Sequence, residues 1–242
     1  MKKQLIAMLF ALLPMTVWAS EASVHLEHFE ANLEDQASLQ NGFKLFVENC
    51  LGCHSAKYQR YERSATDIGM DKEAAESLLR GDHKIGDQMS IAMSPKDAAS
   101  WFGAPPPDLT LEARLRGADW VYSYLKAFYV DPSRPWGVNN RVFKDVGMPN
   151  VLQGMQGVQV CKDEHCTELE LEKAGSMSPE EFDQAMYDLT NYMTYMAEPS
   201  KLMSQRIGKY ALIFLVILFV FAYLLKKEYW KDVYSGSWRE KH

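Results

Sequence analysis

GFKLFVENCLGCHS, residues 42–55, is the stretch from which the rest of this chain can be interpreted. Two residues separate Cys50 from Cys53, and His54 follows directly. The C-x-x-C-H pattern is the attachment sequence of c-type haem: both thiols form thioethers with the haem vinyl groups, and the imidazole becomes an axial ligand of the iron. The motif therefore predicts one covalently bound haem c, held by Cys50, Cys53 and His54.

Two other kinds of site use paired cysteines, and neither fits this motif as well. A thioredoxin-like dithiol needs no histidine after the second cysteine. A zinc site needs a further cysteine or histidine pair at matching spacing, which is not evident in the sequence. Haem attachment is therefore the favoured interpretation, and an exported protein is the usual setting for it.

The N-terminus has the pattern of an export signal. Lys2 and Lys3 precede an apolar run over residues 5–18, and Ala19 completes a small-residue cleavage pattern. We expect cleavage after Ala19. A retained anchor is the alternative, although the run is short for a membrane span of about 20 residues. Either interpretation places the following domain outside the cytoplasm.

A second apolar segment lies near the C-terminus, over residues 207–225. A buried core helix is the alternative, but a helix that is apolar on all sides favours lipid. Lysines follow the segment at once, so the positive-inside rule places the C-terminus in the cytoplasm. The sequence thus predicts a signal peptide at 1–19, a periplasmic domain at 20–206, a transmembrane helix at 207–225 and a cytoplasmic tail at 226–242.

The charge balance restricts the class of partner. The whole chain carries a formal net charge of -6, and the region between the two apolar segments is more acidic still. Nucleic-acid binding is therefore not expected, whereas a basic protein partner would be attracted. Acidic residues that could guide such a partner follow the haem motif at Glu62, Asp67, Asp71, Glu73 and Glu76, although an ordinary solvated helix face is an equal alternative.

Helical periodicity dominates the region between the apolar segments, and sheet is a minor element. Residues 41–48 present Phe43, Phe46 and Val47 on one face of a helix that should contact the haem. A capping box of Ser178 and Glu181 begins a long helix that continues through Met196. Further helices are predicted at 71–80 and at 111–129, the second with a break at Gly117. An ordered loop is predicted at 103–108, and loose stretches at 131–150 and 151–171, of which the second contains a small hairpin around Val158 and Val160. A joint between the long helix and the apolar segment is predicted at 198–200.

The sixth ligand of the iron must be chosen among many methionines. Met148 has the best local setting, because Gly147 and Pro149 enclose it in a non-helical backbone from which a thioether could turn toward iron. Met89 and Met93, in an irregular segment, are alternatives. The remaining candidates are expected to serve other purposes: core packing for Met186, Met193 and Met196, and solvent exposure for His83 and His165.

The chain resembles the cytochrome c1 family, the haem subunits of cytochrome bc1 complexes. The resemblance covers essentially the whole mature chain. It rests on GFKLFVENCLGCHS with the following Arg60-Tyr61, PPDLTLEARLRGADWVYSYL at 106–125, GMPN at 147–150, and MAEPSKLMSQRIGKY at 196–210 before the apolar segment. The resemblance implies a mainly α fold: a class I cytochrome c-like haem domain with long loops and a small β-hairpin, plus one C-terminal transmembrane helix.

The resemblance also assigns roles to residues of the site. It makes Met148 the distal iron ligand and Arg116 the partner of a haem propionate, with Arg114 as the near competitor and surface charge as its other role. Pro106 belongs to the 105–108 loop that would pack against the haem; a plain connector is the alternative. Trp120 departs from the smaller aromatic residue usual in the family, so it receives no polar contact.

The function implied by the resemblance is electron transfer in a bacterial inner membrane. The haem domain would receive electrons from a Rieske iron-sulfur protein and pass them to cytochrome c, with cytochrome b and membrane lipid as further partners. The subunit would make no chemical bond itself. The alternatives are a membrane-anchored c-type cytochrome serving a terminal oxidase, a catalytic haem enzyme such as a peroxidase, and a haem sensor.

Cys161 and Cys166 remain outside the haem motif. In an oxidising compartment these two cysteines are expected to form a structural disulfide across a tight loop. Metal binding together with His165 is the alternative, although the sequence offers no fourth ligand.

Overall fold

The computed structural model describes residues 24–163 and 166–234. The predicted signal peptide at 1–19, His165 and the end of the predicted tail lie outside this part of the chain. The helices are α1 Gln36–Asn49, α2 Tyr61–Asp67, α3 Lys72–Ser77, α4 Pro95–Phe102, α5 Glu112–Arg116, α6 Ala118–Lys126, α7 Gln153–Gln156, α8 Pro179–Ala197 and α9 Lys201–Tyr234. The strands are β1 Ala56–Arg60, β2 Gln88–Met89, β3 Phe128–Val130, β4 Val138–Asn140, β5 Gly157–Cys161 and β6 Leu169–Ala174.

The core is built around the crossing of α1 and α8. Phe43 and Phe46 of α1, the pair predicted to share a face, are fully buried against Tyr192 of α8, with ring centroids 5.3 and 5.7 Å apart. Tilted aromatic pairs at this separation add to the free energy gained by burying their apolar area. Because α1 leads directly into Cys50, this crossing fixes the position of the haem motif.

The two helices approach closely because Gly42 lies at the crossing. A Cβ atom there would overlap the backbone carbonyl oxygen of Asp188 and would lie 2.7 Å from the Cβ of Tyr192. The Asp188 carboxylate is itself buried at the crossing and accepts hydrogen bonds from Ser38 Oγ at 2.7 Å and Asn41 Nδ2 at 2.6 Å. A buried carboxylate that is satisfied in this way ties the two helices in one register.

Helix α8 begins as the sequence predicts. Ser178 accepts from the backbone N–H of Glu181, the Glu181 side chain accepts from the backbone N–H of Ser178, and Pro179 occupies the first turn. These contacts satisfy N–H groups that the first turn of a helix leaves unpaired. The helix ends at Ala197, and α9 begins at Lys201, so the predicted joint at 198–200 is confirmed.

Helix α9 contains a long apolar stretch whose side chains are exposed. Within Lys201–Lys231, an 18-residue window has a mean hydropathy of 2.3, and none of that window is buried against the rest of the protein. By length and composition this helix can cross a membrane, and the predicted span at 207–225 lies inside it. Mainly helical structure, small sheets and one such C-terminal helix confirm the predicted fold class.

The region predicted as one broken helix at 111–129 is only partly helical. Gly117 separates α5 from α6 with φ of 93°, a conformation that favours glycine. The prediction is wrong at the C-terminal end, where residues 128–130 form β3 and pair with β4 in antiparallel register. Phe128 is buried against Val138 and Val146, and this tertiary packing outweighs the helical pattern of the sequence at these residues. The helix predicted at 71–80 is also shorter, covering Lys72–Ser77.

Sheet structure consists of three antiparallel strand pairs, β1–β2, β3–β4 and β5–β6. The pair β5–β6 is the predicted hairpin, in which Val158 pairs with Lys173 and Val160 with Glu170. Helix α4 was not predicted, although Ser94 caps it and Pro95 occupies its first turn. Its signal is weak because the helix is short and mostly exposed.

Cys161 and Cys166 form the predicted disulfide at the tip of this hairpin, with their Cα atoms 4.7 Å apart. The bridge closes a loop of only a few residues, for which chain entropy gives a stabilisation of about 2 kcal/mol. We expect the Cys161→Ala/Cys166→Ala double variant to lose no more than about 2 kcal/mol of unfolding free energy. Denaturant titration of variant and wild type measures this loss; a haem spectrum that changed in parallel would contradict the separation of the bridge from the haem site.

Candidate haem site

A cavity of about 320 Å³ lies between the haem motif, the proline loop, helices α5 and α6, and the segment before α7. This volume is in the range of cofactor and small-ligand sites. The lining is mostly apolar and aromatic, and it contains all six predicted site residues: Cys50, Cys53, His54, Pro106, Arg116 and Met148. Residues nearly 100 positions apart in the chain therefore meet at one place.

The two motif cysteines are unpaired thiols on the cavity wall. The turn after α1 brings them there: the backbone N–H groups of Cys53 and His54 both donate to the carbonyl oxygen of Cys50, at 3.1 and 2.9 Å. Burial, with a smaller contribution from the neighbouring Cys53, raises the pKa of the Cys50 thiol to about 12. Cys50 is thus a neutral thiol when nothing is attached to it.

His54 is held in one tautomer. Its Nδ1 atom lies 2.8 Å from the carbonyl oxygen of Pro107, which can only accept, so Nδ1 carries the proton and donates. Burial lowers the pKa of His54, against the opposing effects of the Pro107 carbonyl and the carboxylates of Glu112 and Asp108. The result is a neutral imidazole whose Nε2 lone pair is available to a metal.

The proline loop is anchored to the residues that follow the motif. The Asp108 carboxylate accepts from the backbone N–H of Lys57 at 2.9 Å, and the backbone N–H of Leu109 donates to the carbonyl of Ser55 at 2.9 Å. Pro105, Pro106 and Pro107 all line the cavity. Pro106 lies on the cavity wall, but the hydrogen bond from His54 to Pro107 was not predicted, because the sequence pattern does not reveal which carbonyl of the loop faces the imidazole.

The structure discriminates among the candidate thioethers. Met148 lines the cavity, and its sulfur accepts a hydrogen bond from the Tyr124 hydroxyl at 3.4 Å. Met89 is fully buried in the core next to Tyr192, and neither it nor Met93 lines the cavity. Met193 packs in the core as predicted, and it also reaches the cavity wall, which was not predicted.

Arg116 lies at the cavity with its side chain already oriented. Its Nε donates to Glu112 at 3.0 Å, and its guanidinium lies 4.6 Å from the ring centroid of Trp120 and 5.4 Å from that of Phe143. A guanidinium has five N–H donors, so the bond to Glu112 leaves donors for a second carboxylate. Arg114, the competitor, is exposed and is not part of the cavity lining.

Trp120 and Tyr124 continue this wall of the cavity. Their rings are stacked, with centroids 4.9 Å apart and planes inclined by 9°. Burial raises the pKa of the Tyr124 hydroxyl, with a smaller contribution from Glu112. The tyrosine is therefore a protonated hydrogen-bond donor inside the cavity, a role that its helical spacing alone does not reveal.

This set of residues fits a covalently attached haem. Two unpaired thiols, an imidazole with a free Nε2, a thioether and a guanidinium surround one largely apolar space. These are the groups that haem attachment, axial ligation and propionate binding require. Over residues 24–163 and 166–234 there is no cluster of three or more His, Cys, Asp or Glu side chains placed to hold a metal ion directly.

Comparisons with known proteins point to one family. The profile of the Cytochrome C1 family matches residues 71–233. Cytochrome c1 of Allochromatium vinosum is 49% identical over 97% of this chain and 100% of its own length. The ammonia monooxygenase gamma subunit of Nitrosomonas europaea is 43% identical over 95% of this chain and 97% of its own.

A more distant relative extends the comparison. Cytochrome c1 of Rhodospirillum rubrum is 28% identical over 82% of this chain and 83% of its own length. A solved chain described as "Hyperthermophilic respiratory Complex III" aligns over 97% of both chains with 18% identity and a TM-score of 0.47, too low to establish a shared fold. The family match and the identity to the Allochromatium protein confirm the predicted covalent haem c and the electron-transfer role. This chain belongs to the cytochrome c1 family.

Proposed function

We propose that this chain is the electron-transfer subunit of a respiratory cytochrome bc1 complex, which takes electrons from a Rieske iron-sulfur protein and delivers them to cytochrome c. The observation that carries the proposal is the cavity in which Cys50, Cys53, His54 and Met148 meet in a member of the cytochrome c1 family. Cytochrome b and membrane lipid are the further partners.

The residues of the cavity have distinct roles in this proposal. Cys50 and Cys53 would attach the haem, His54 Nε2 and the Met148 sulfur would ligate its iron, Pro106 would pack against it, and Arg116 would bind a propionate. When bound, haem supplies a reversible one-electron couple. The Pro107 carbonyl fixes the His54 tautomer and orientation, which makes the imidazole a better donor. The apolar lining excludes water, which with the Met148 thioether favours a raised reduction potential.

An acidic surface supports a basic electron acceptor. Glu62, Asp67, Asp71, Glu73 and Glu76 are all exposed on and around α2 and α3. Two of them are already paired within the chain, Asp67 with Arg63 and Glu76 with Lys72. The remaining carboxylates would accelerate the encounter with a basic cytochrome c more than they would strengthen its binding.

The proposed membrane arrangement is based on the two apolar segments of the sequence, at 5–18 and 207–225. Cleavage of residues 1–19 leaves a periplasmic domain at 20–206, which helix 207–225 anchors in the bacterial inner membrane, with 226–242 in the cytoplasm. Lys226, Lys227 and Lys231 immediately after the span support this orientation. The haem cavity then lies on the same side of the membrane as a soluble cytochrome c.

The similarity to an ammonia monooxygenase gamma subunit raises a second setting, a subunit of an oxygen-using complex. A residue arrangement with two axial ligands argues against oxygen chemistry at this haem, because catalysis needs an exchangeable sixth position. Met148, which accepts a hydrogen bond from Tyr124, would occupy that position as a protein ligand. Reactivity toward carbon monoxide tests whether this haem has such an exchangeable position.

The test uses the full chain, produced with haem-maturation machinery and measured by reduced-minus-oxidised visible spectroscopy. We expect a c-type spectrum, haem that stays on the polypeptide under denaturing conditions, and no change on adding carbon monoxide, since both axial positions are filled. In bacterial membranes, quinol should reduce this haem only when the Rieske protein is present.

Either of two results would contradict the proposal. Rapid carbon monoxide binding by the wild type would reveal an exchangeable position and favour a catalytic or sensing haem. Quinol-dependent reduction that persisted in membranes lacking the Rieske protein would favour a different electron donor, such as that of a shuttle serving a terminal oxidase.

A further inference from the structure

Tyr124 contacts Met148, the candidate distal ligand, through its hydroxyl group. Its hydroxyl lies 3.4 Å from the Met148 sulfur in donor geometry. A thioether sulfur is a weak acceptor and the phenol is a donor, so the proton points from oxygen to sulfur. Both residues line the cavity, and they lie on different segments, α6 and the loop before α7.

The ring of Tyr124 is held on both sides. Trp120 stacks on one face with centroids 4.9 Å apart, and Phe128 meets the ring edge-on at 5.2 Å with planes inclined by 70°. The Tyr124 carbonyl also accepts from the buried Asn140 Nδ2 at 2.8 Å, which links α6 to β4. The hydroxyl therefore has little freedom to leave the sulfur.

We propose that Tyr124 is a positioning residue for the distal ligand: its hydrogen bond orients the Met148 thioether toward the iron and raises the reduction potential of the haem. The inference rests on the proposed function, in which Met148 is that ligand. Donation to the sulfur orients one of its lone pairs toward the phenol and leaves the other for the metal.

The direction of the effect follows from charge. A hydrogen bond withdraws electron density from the sulfur, so the thioether donates less to the iron. Ferric iron depends on that donation more than ferrous iron does. The hydrogen bond therefore destabilises the ferric state relative to the ferrous state, and its loss lowers the potential.

The variant Tyr124→Phe removes only the hydroxyl and keeps the ring in its stack. For one weak hydrogen bond we expect the ferric-to-ferrous ratio at a fixed ambient potential to rise about threefold. A tenfold ratio corresponds to about 59 mV for a one-electron couple, so the midpoint potential should fall by about 28 mV. Redox titration of the full chain measures the midpoint potential. The weak near-infrared absorption band that reports a bond between thioether sulfur and ferric iron is recorded on the same samples.

Tyr122→Phe is the matched control. Tyr122 lies on the same helix, its hydroxyl accepts from Lys126 Nζ at 3.3 Å, and it is not part of the cavity lining. Loss of the Tyr122 hydroxyl should leave the reduction potential of the haem unchanged. In a Met148→Leu background, Tyr124→Phe should also have no effect, because the sulfur through which it acts is gone. An unchanged potential in Tyr124→Phe, or an equal shift in the leucine background, would overturn the inference.

A second probe avoids loss of the side chain. Fluorotyrosine placed at position 124 is a stronger hydrogen-bond donor in nearly the same volume, so it should raise the reduction potential. An unchanged or lowered potential would overturn the inference.

Failure of the proposed function would give a different result. The wild type would then lack covalent haem, or its haem would bind carbon monoxide. When the wild type shows neither of these results, the redox titrations test the role of Tyr124 alone.

Discussion

Replacing Met148 with leucine is expected to give a haem that binds carbon monoxide and whose potential is lower by roughly 0.2 V, a fraction of the about 0.8 V range that axial ligands cover. Leucine has a similar volume but no sulfur, so the cavity keeps its shape while the iron loses its sixth ligand, the one opposite His54. Visible spectroscopy with and without carbon monoxide, and redox titration of the full chain, measure the two effects.

Met193→Leu is the control for this experiment, because Met193 is the other thioether on the cavity wall. It lies in α8 and is buried in the core, so we assign it a packing role and expect its leucine variant to remain inert to carbon monoxide. If Met193→Leu bound carbon monoxide and Met148→Leu did not, the assignment of the distal ligand would be reversed.

The haem motif could be predicted from sequence because its chemistry is local. Cys50, Cys53 and His54 lie within five consecutive residues, and one turn after α1 places all three on the cavity wall. The capping box of α8 is local in the same sense. Features of this kind depend on spacing along the chain, which the sequence displays directly.

The rest of the site depends on contacts between distant segments. His54 binds the Pro107 carbonyl, and Tyr124 binds the Met148 sulfur, across 53 and 24 residues of chain. Periodicity places Tyr124 on a helix but not opposite a particular methionine. The strand at 128–130 was missed for a related reason, since burial of Phe128 against Val138 and Val146 outweighs the helical pattern.

Gly42→Ala is expected to destabilise the haem domain strongly. The added methyl group would overlap the Asp188 carbonyl and press on Tyr192, so α1 and α8 would have to separate. Overpacking of this kind costs about 3 kcal/mol, which outweighs the gain of about 1 kcal/mol in helix propensity. At 2–4 °C per kcal/mol for a chain of this size, the net loss should lower the unfolding midpoint by roughly 4–8 °C. Thermal unfolding of the haem-loaded full chain at a fixed scan rate measures the shift.

Gly154→Ala separates steric overlap from the general effect of replacing glycine in a helix. Gly154 lies in α7, it is exposed, and a Cβ there would meet nothing within 4 Å. Its alanine variant should unfold within about 0.5 kcal/mol of the wild type, as surface substitutions usually do. Because α1 carries the haem motif on its C-terminal end, the Gly42 variant should also attach less haem during maturation. A Gly42→Ala protein with normal stability and full haem content would mean that the crossing can widen without cost, and that the buried contacts of Asp188 with α1 do not set the position of the motif.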